Sequence, residues 1–287
     1  MKNKLNKRIG EEFFFKTLML LSFSIVMLIF FLMIAIVIIK GLPGLNLKML
    51  LSVPKGGYYM GGEGGILNAI LGSLYLGIGA TFLAALVSIP VVLFLNIYLK
   101  KDSKFGTFIR FSFDVLWGVP SIVYGAFGFA LMILLHQRAS LLAGTLTIAL
   151  LELPINSRVA DGILKMVPHD LKETSLALGA TKWETASQVI LKQTLPGILT
   201  ALLIGFGRGV GNAAAVLFTA GYTDYLPTSL LRPAATLPLA IFFQLGTPYP
   251  EAQQRGYTAA LILMLLILFI SILSRILTKR FHKHVLR

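Results

Sequence analysis

The chain has 287 residues, of which 56% are hydrophobic and only 13% are charged, and its mean hydropathy is +0.81. Soluble domains carry about a quarter charged residues, so this composition excludes a water-soluble core and predicts an all-α integral membrane protein. The sequence contains no cysteine, which excludes a disulfide framework, a thiolate metal site and a catalytic thiol. The formal net charge of +14 is explained below by the Lys and Arg residues in the segments between the apolar stretches.

Six apolar stretches approach or exceed the ~20 residues that a helix needs to cross the hydrocarbon core. In chain order they are Thr17–Ile39, Ile70–Leu95, Phe111–Leu135, Leu141–Ile155, Gly197–Gly221 and Tyr257–Leu277. The fourth stretch is the shortest and contains Glu152, while the third contains Asp114 and the fifth contains Arg208. The sequence therefore predicts six transmembrane helices, and Pro120 predicts a break or kink in the third.

Lys and Arg residues are distributed unevenly between the two sides that six spans would create. Nineteen of the 26 lie in the N-terminus, the 96–110 loop, the 156–196 loop and the C-terminal tail, and six lie in the opposite loops. This bias predicts that both termini are cytoplasmic in a multi-pass membrane protein. Because the basic residues are spread over four membrane-edge segments, the composition argues against nucleic-acid binding.

The first apolar stretch, Thr17–Ile39, is too long for the apolar region of a signal peptide. It is followed by Lys40-Gly41-Leu42-Pro43, which is no small-residue cleavage site. We therefore expect a retained membrane anchor.

The segment 156–196 has the signals of an ordered element. Pro168 suits the first turn of a helix, and Gly179 suits the position just after its end. Thr181 and Glu184 have the spacing of a capping box that begins a second helix. A connector of about 40 residues is long, and ordered long loops usually carry function. We expect a short exposed cytoplasmic helix that docks in a groove of a partner.

Several stretches together resemble the permease subunits of ABC importers. The pattern Glu173-Thr-Ser-x-x-x-Gly179 resembles their cytoplasmic "EAA---G" motif. The stretches "GGILNAILGSLYL" (64–76), "GVPSIVYGAFGFAL" (118–131) and "LPGILTALLIGFGRGVGNAAAVLFTAG" (195–221) are similar to the PstA family of phosphate-transport permeases. Three positions depart from the family pattern: "ETS" replaces "EAA", Lys192 replaces the usual Pro, and Asn212 replaces a Glu.

The resemblance implies a type I ABC importer permease fold, MetI-like, with six transmembrane helices and a cytoplasmic coupling helix. It implies a location in the cytoplasmic (inner) membrane of a prokaryote. The corresponding layout is a basic N-terminus, first span and outer loop over 1–63, a permease domain over 64–278 with its EAA-type loop at 158–196, and a basic tail over 279–287.

The resemblance also implies partners. These are a second permease subunit similar to PstC or a second copy of this chain, two ATPase subunits similar to PstB, and an extracytoplasmic phosphate-binding protein similar to PstS. The chain has no G-x-x-x-x-G-K-[ST] motif, so ATP hydrolysis falls to separate subunits and we expect no cofactor and no enzyme activity here. By the motif match, the ATPase-coupling residues are Asp170, Leu171, Glu173, Thr174, Ser175 and Gly179.

Arg208 stands in the fifth predicted span among four glycines. Gly205/Gly209 and Gly207/Gly211 have the i,i+4 spacing that permits close helix approach. A charge at the bilayer centre is costly, so it faces an interior or a watery path. The planar guanidinium suits phosphate. Two interpretations stay open: Arg208 meets a crossing anion, or it only holds helices together.

The position of Asn212 leaves Arg208 without the acid that the family supplies four residues later. Either the guanidinium is freer to meet an anion, or another acid compensates. Glu152 is the candidate counter-ion, and Asp114 is expected at the interface. The predicted substrate path therefore consists of Arg208, Asn212 and Glu152.

Other functions compete with import of inorganic phosphate. The alternatives are a permease for another oxyanion or small solute, a phosphate-signalling scaffold that uses the basic N-terminus as a docking arm, and a secondary transporter. The last is disfavoured because no inverted repeat is evident. The four histidines form no i,i+4 pair, so we expect no metal site.

Overall fold

The computed structural model describes residues 2–55, 64–100 and 102–281, and these residues form helices joined by turns and irregular chain, with no strand among them. Residues 56–63 of the predicted outer loop and 282–287 of the predicted basic tail lie outside the described residues. The α-helices are α1 (Lys2–Gly41), α2 (Leu47–Leu51), α3 (Leu67–Leu93), α4 (Lys104–Gly118), α5 (Ser121–Leu134), α6 (Leu141–Lys165), α7 (His169–Ala177), α8 (Lys182–Glu184), α9 (Leu191–Val210), α10 (Leu237–Leu245) and α11 (Pro250–Phe281).

Within the described residues, four continuous helical segments are long and apolar enough to cross a membrane. They are Arg8–Gly44, Leu67–Tyr98, Lys182–Val210 and Pro250–Ile276. The second continues from α3 through a π-helical turn, and the third joins α8 to α9 through another. The pair α4 and α5 raises the number to five if it counts as one broken span. The six-span count is therefore not confirmed, although the all-α membrane architecture is.

The third predicted span, Phe111–Leu135, is wrong as one straight helix. Helices α4 and α5 meet at 98°. Proline disfavours the helical region for the residue before it, and Val119 accordingly is extended (φ −70°, ψ 128°) ahead of Pro120. The predicted break at Pro120 is confirmed, and it turns the chain through a right angle.

Helix α6 is the centre of the bundle and packs against α3, α4, α5 and α9. It extends ten residues beyond the fourth predicted span, which ended at Ile155. Buried polar groups along it, including Glu152, Asn156, Ser157 and Asp161, lower its hydropathy. Because its neighbours are mostly protein, this helix does not need the apolar surface that lipid requires.

The fifth predicted span, Gly197–Gly221, is wrong at both ends. The helical segment begins at Lys182 and ends at Val210, and turns and irregular chain follow as far as α10. Irregular backbone at membrane depth is tolerated only where protein surrounds it, and Val216 and Ala220 are indeed buried. Arg208 therefore lies in the last turn of α9.

Helix α1 contacts the rest of the chain near its C-terminal end. The Thr258 hydroxyl on α11 donates a hydrogen bond to the Gly41 carbonyl at 2.9 Å, and the Lys40 ammonium lies 4.8 Å from the centre of the Tyr257 ring. Most side chains from Arg8 to Ile39 are exposed in the single chain. This helix thus offers its surface to lipid or to another subunit.

Candidate functional site

Arg208 lies at the middle depth of the bundle. The next residue, Gly209, packs against Glu152 of α6, and Glu152 in turn accepts a hydrogen bond from Thr81, halfway along the Leu67–Tyr98 segment. The Arg208 side chain is exposed on the surface of this chain, within electrostatic range of Tyr124. The structure thus places a fixed positive charge at mid-depth on an open face.

The described residues provide Arg208 with no ion pair, and the proposed pairing with Glu152 is not formed. Glu152 is fully buried; its Oε2 accepts the Thr81 hydroxyl at 2.8 Å. Its Oε1 has no hydrogen-bond partner among the described residues and lies against Gly209. Consecutive helical residues point about 100° apart, so Gly209 faces α6 while Arg208 turns away from it.

Asn212 has a local structural contact. Its Oδ1 accepts a hydrogen bond from the Ala215 backbone N–H at 2.9 Å, which stabilises the first turn after α9. An Asn side chain commonly caps a turn in this manner. The three predicted substrate-path residues therefore have different surroundings. The Arg208 side chain is exposed, the Asn212 side chain caps a turn, and the Glu152 side chain is buried.

Helix α7 is short and its outer face is exposed, as the sequence predicts. Gly179 has φ +87°, the left-handed conformation that ends the helix, and the Thr181–Glu184 capping box forms. Of the predicted coupling residues, Leu171 and Ser175 face inward, and the Ser175 hydroxyl lies 2.9 Å from that of Thr185. The exposed members of the set are Asp170, Glu173, Thr174 and Gly179.

Three large apolar side chains surround α7 on the exposed surface. Leu178 is 84% exposed, Met166 78% and Trp183 66%. Large exposed apolar side chains beside an exposed helix are candidates for contact with a partner. Sequence reasoning missed Met166 and Leu178 as surface residues because an apolar residue in a membrane protein is ordinarily assigned to the core or to lipid. Their positions, directly beyond the ends of α6 and α7, were the available signal.

An ion cluster at the C-terminal end of α6 was also missed. Asp161 is buried and accepts hydrogen bonds from Arg110 at 3.0–3.2 Å and from Asn96 at 2.8 Å, and Lys165 lies 2.7 Å away. Arg158 lies 3.7 Å from Asp161 and pairs with Asp114 at 2.8 Å. The cluster ties α4 to α6 and to the end of the α3 segment, and it gives Asp114 a cation partner on α6.

The described residues contain no group of three or more His, Asp or Glu that could hold a metal ion.

The sequence profile of the family described as "Binding-protein-dependent transport system inner membrane component" matches residues 88–283, more than half of the chain. The chain belongs to this family. The permease family inferred from the EAA-type motif is thereby confirmed, and with it a role as a membrane component of an ABC transporter.

Curated relatives narrow the comparison within this permease family. The chain is 34% identical over 238 residues to the "Phosphate transport system permease protein PstA" of Yersinia pestis, covering 83% of this chain and 80% of that protein. It is 32% identical over 246 residues to the PstA of Xylella fastidiosa, covering 84% and 83%. These are the relatives that the sequence stretches around Pro120 and Arg208 predict.

The permease fold is also found among solved structures. The inward-facing MetNI methionine ABC transporter matches with a TM-score of 0.63 and 18% identity, covering 75% of this chain and 95% of that one. At this identity the likeness concerns the fold alone, and it confirms the predicted MetI-like bundle.

Proposed function

We propose that the chain forms part of the membrane path of an ATP-driven importer of inorganic phosphate. The observation that carries the proposal is Arg208, which is exposed at mid-depth and has no ion pair among the described residues, in a family member whose relatives are named phosphate permeases. A guanidinium presents several N–H donors in one plane, which suits phosphate oxygens. An exposed guanidinium inside a membrane is stable only where water or a second subunit covers it.

The proposed assembly contains a second permease subunit, two ATPase subunits and an extracytoplasmic phosphate-binding protein. The open face around Arg208 would contact the second permease, similar to PstC. The exposed face of α7, with Met166, Leu178 and Trp183, would enter a groove of the ATPase, similar to PstB. A binding protein similar to PstS would dock on the opposite side of the membrane.

The substrate is tested with the purified assembly in liposomes. We expect ATP hydrolysis to rise several-fold when phosphate and the binding protein are both supplied, because substrate delivery drives closure of the permease. Sulfate, an oxyanion of similar shape, is the matched control. Equal stimulation by sulfate, or stimulation by another solute only, would assign the chain to a different importer.

The orientation is tested by cysteine labelling, which the absence of native cysteine makes unambiguous. A cysteine replacing the exposed Thr228 should react with a membrane-impermeant maleimide in intact cells. A cysteine replacing Leu178, which is 84% exposed, should react only after lysis. The reverse pattern would place the termini outside the cytoplasm.

The coupling surface is tested by reversing a charge on α7. Glu173→Lys should lower phosphate uptake more than about tenfold. Reversing a charge at a packed interface, or removing a hydrogen bond there, weakens binding between the subunits by several kcal/mol. Glu12→Lys, the same change on an exposed part of α1, is the control. Uptake is measured at equal membrane levels of the chain. Normal uptake by Glu173→Lys would remove α7 from the ATPase contact.

A further inference from the structure

A cleft of about 660 Å³ opens at the cytoplasmic end of the bundle. Its walls come from the end of the α3 segment, the region from Asp102 to Arg110 at the start of α4, the end of α6, the start of α7 and the chain before α9. Its depth along α3 differs from that of Arg208. Thr81 lies at the depth of Arg208, and Leu95 lines the cleft. At a rise of 1.5 Å per residue, the two residues are about 20 Å apart along the helix axis.

Positive charge exceeds negative charge on the walls of this cleft. Arg110, Lys165 and Lys172 line it, whereas Asp102 is the one acid among the described lining residues. Asp161 lies behind Arg110 and Lys165 and compensates only part of their charge. A cleft with this balance attracts an anion.

Two of these cations have hydrogen-bonding capacity left. Arg110 binds Asp161 through Nε and Nη2, and its Nη1 has no acceptor among the described residues. The Lys172 ammonium donates to the Asn96 carbonyl at 3.1 Å, a neutral acceptor. Burial, and after it the positive charge of Lys182, lowers the pKa of Lys172. An anion between Arg110 and Lys172 would accept from both and would offset this crowding of charge.

Much of the remaining wall of the cleft is apolar. Leu95, Ile97, Leu164 and Ile190 line the cleft and are buried. His169, at the positive end of the α7 dipole, also lines it. A basic pocket beside an apolar wall between transmembrane helices has the chemistry that holds a phospholipid headgroup.

We propose that this cleft binds a phosphate group, carried either by an anionic phospholipid of the cytoplasmic leaflet or by free phosphate in the cytoplasm. The bound group would bridge Lys172 on α7 to Arg110 on α4 and Lys165 on α6. Because α7 is the helix assigned to the ATPase, occupancy of the cleft would fix the position of that helix relative to the bundle. The site lies apart from the Arg208 path, at a different depth of the bundle.

The test uses the full chain in phosphatidylcholine nanodiscs, in an Arg208→Ala background that removes binding in the proposed substrate path. One arm measures equilibrium binding of radiolabelled inorganic phosphate. The other measures, by native mass spectrometry, retention of added phosphatidylglycerol against phosphatidylcholine. Lys172→Gln should weaken binding in at least one arm about tenfold, the effect of losing one charge-assisted hydrogen bond. Lys172→Arg should restore most of it.

The matched control is Lys192→Gln, the same change at an exposed position outside the cleft. Loss confined to the phosphatidylglycerol arm identifies a lipid site, and loss confined to the phosphate arm identifies a site for free phosphate. If Lys172→Gln does not fold, Lys165→Gln takes its place with the same expectation. Binding in both arms equal to that of Lys192→Gln would overturn the proposal.

Discussion

Replacing Asp161 with alanine is expected to destabilise the folded chain by about 3–5 kcal/mol, the usual effect of removing one partner from a buried ion pair. Asp161 is fully buried, and Arg110, Lys165 and Asn96 all bond to its carboxylate. Without it, the partly buried Arg110 guanidinium keeps its charge but loses its acceptor. The connection between α4, α6 and the end of the α3 segment would then open.

The measurement is the midpoint of thermal unfolding and the yield of monodisperse protein after detergent extraction. Asp114→Ala is the control, because Asp114 also pairs with an Arg but both side chains are partly exposed, at 49% and 36%. Such pairs contribute less than about 1 kcal/mol. Equal yields and midpoints for the two variants would show that the Asp161 cluster does not hold the helices together.

Arg208→Ala is expected to reduce phosphate uptake at least tenfold while leaving the stability of the chain almost unchanged. The side chain of Arg208 is exposed and forms no ion pair among the described residues, so its removal breaks no such pair there. Arg208→Lys keeps the charge but loses the planar set of donors. Phosphate uptake by this variant should therefore lie between that of the unaltered protein and that of Arg208→Ala. The experiment compares uptake at equal membrane levels.

The stability measurement separates the two interpretations of Arg208 that the sequence left open. A guanidinium that only held helices together would lower the unfolding midpoint when removed. An unchanged midpoint with lost uptake supports contact with the anion. Full uptake by Arg208→Ala would end the substrate-path assignment and leave Arg208 a structural residue.

Local features of the chain were predictable from the sequence. The capping box of Thr181 and Glu184 and the left-handed Gly179 depend on atoms within four residues of one another, so the residue types alone indicate them. The break at Pro120 is equally local, because the proline ring restricts Val119. These local signals predict the short exposed helix α7 and the second helix that follows it.

Features set by distant contacts were not predictable. The 98° angle at Pro120 depends on what α5 packs against, and the end of α9 at Val210 depends on the neighbours of the glycines that follow. Asp161 and Arg110 are 51 residues apart, and no periodicity in the sequence relates them. The surroundings of Glu152 were not predictable either. The sequence suggests Glu152 as a partner for Arg208, but in the structure it is Gly209 that packs against Glu152.

The low hydropathy of α6 has a consequence for how the chain enters the membrane. Glu152, Asn156 and Asp161 are fully or almost fully buried, and a helix that carries them would be rejected by lipid if it were presented alone. Helix α6 must therefore leave the insertion machinery already packed against the helices made before it, α3, α4 and α5, and it gains its contact with α9 only when α9 has been made. Synthesis from Lys165 to Val210 takes roughly two to nine seconds at about 5–20 residues per second. During that interval the side of α6 that carries Glu152 and Asn156 lacks the two α9 glycines, Gly209 and Gly205, that pack against them in the folded chain.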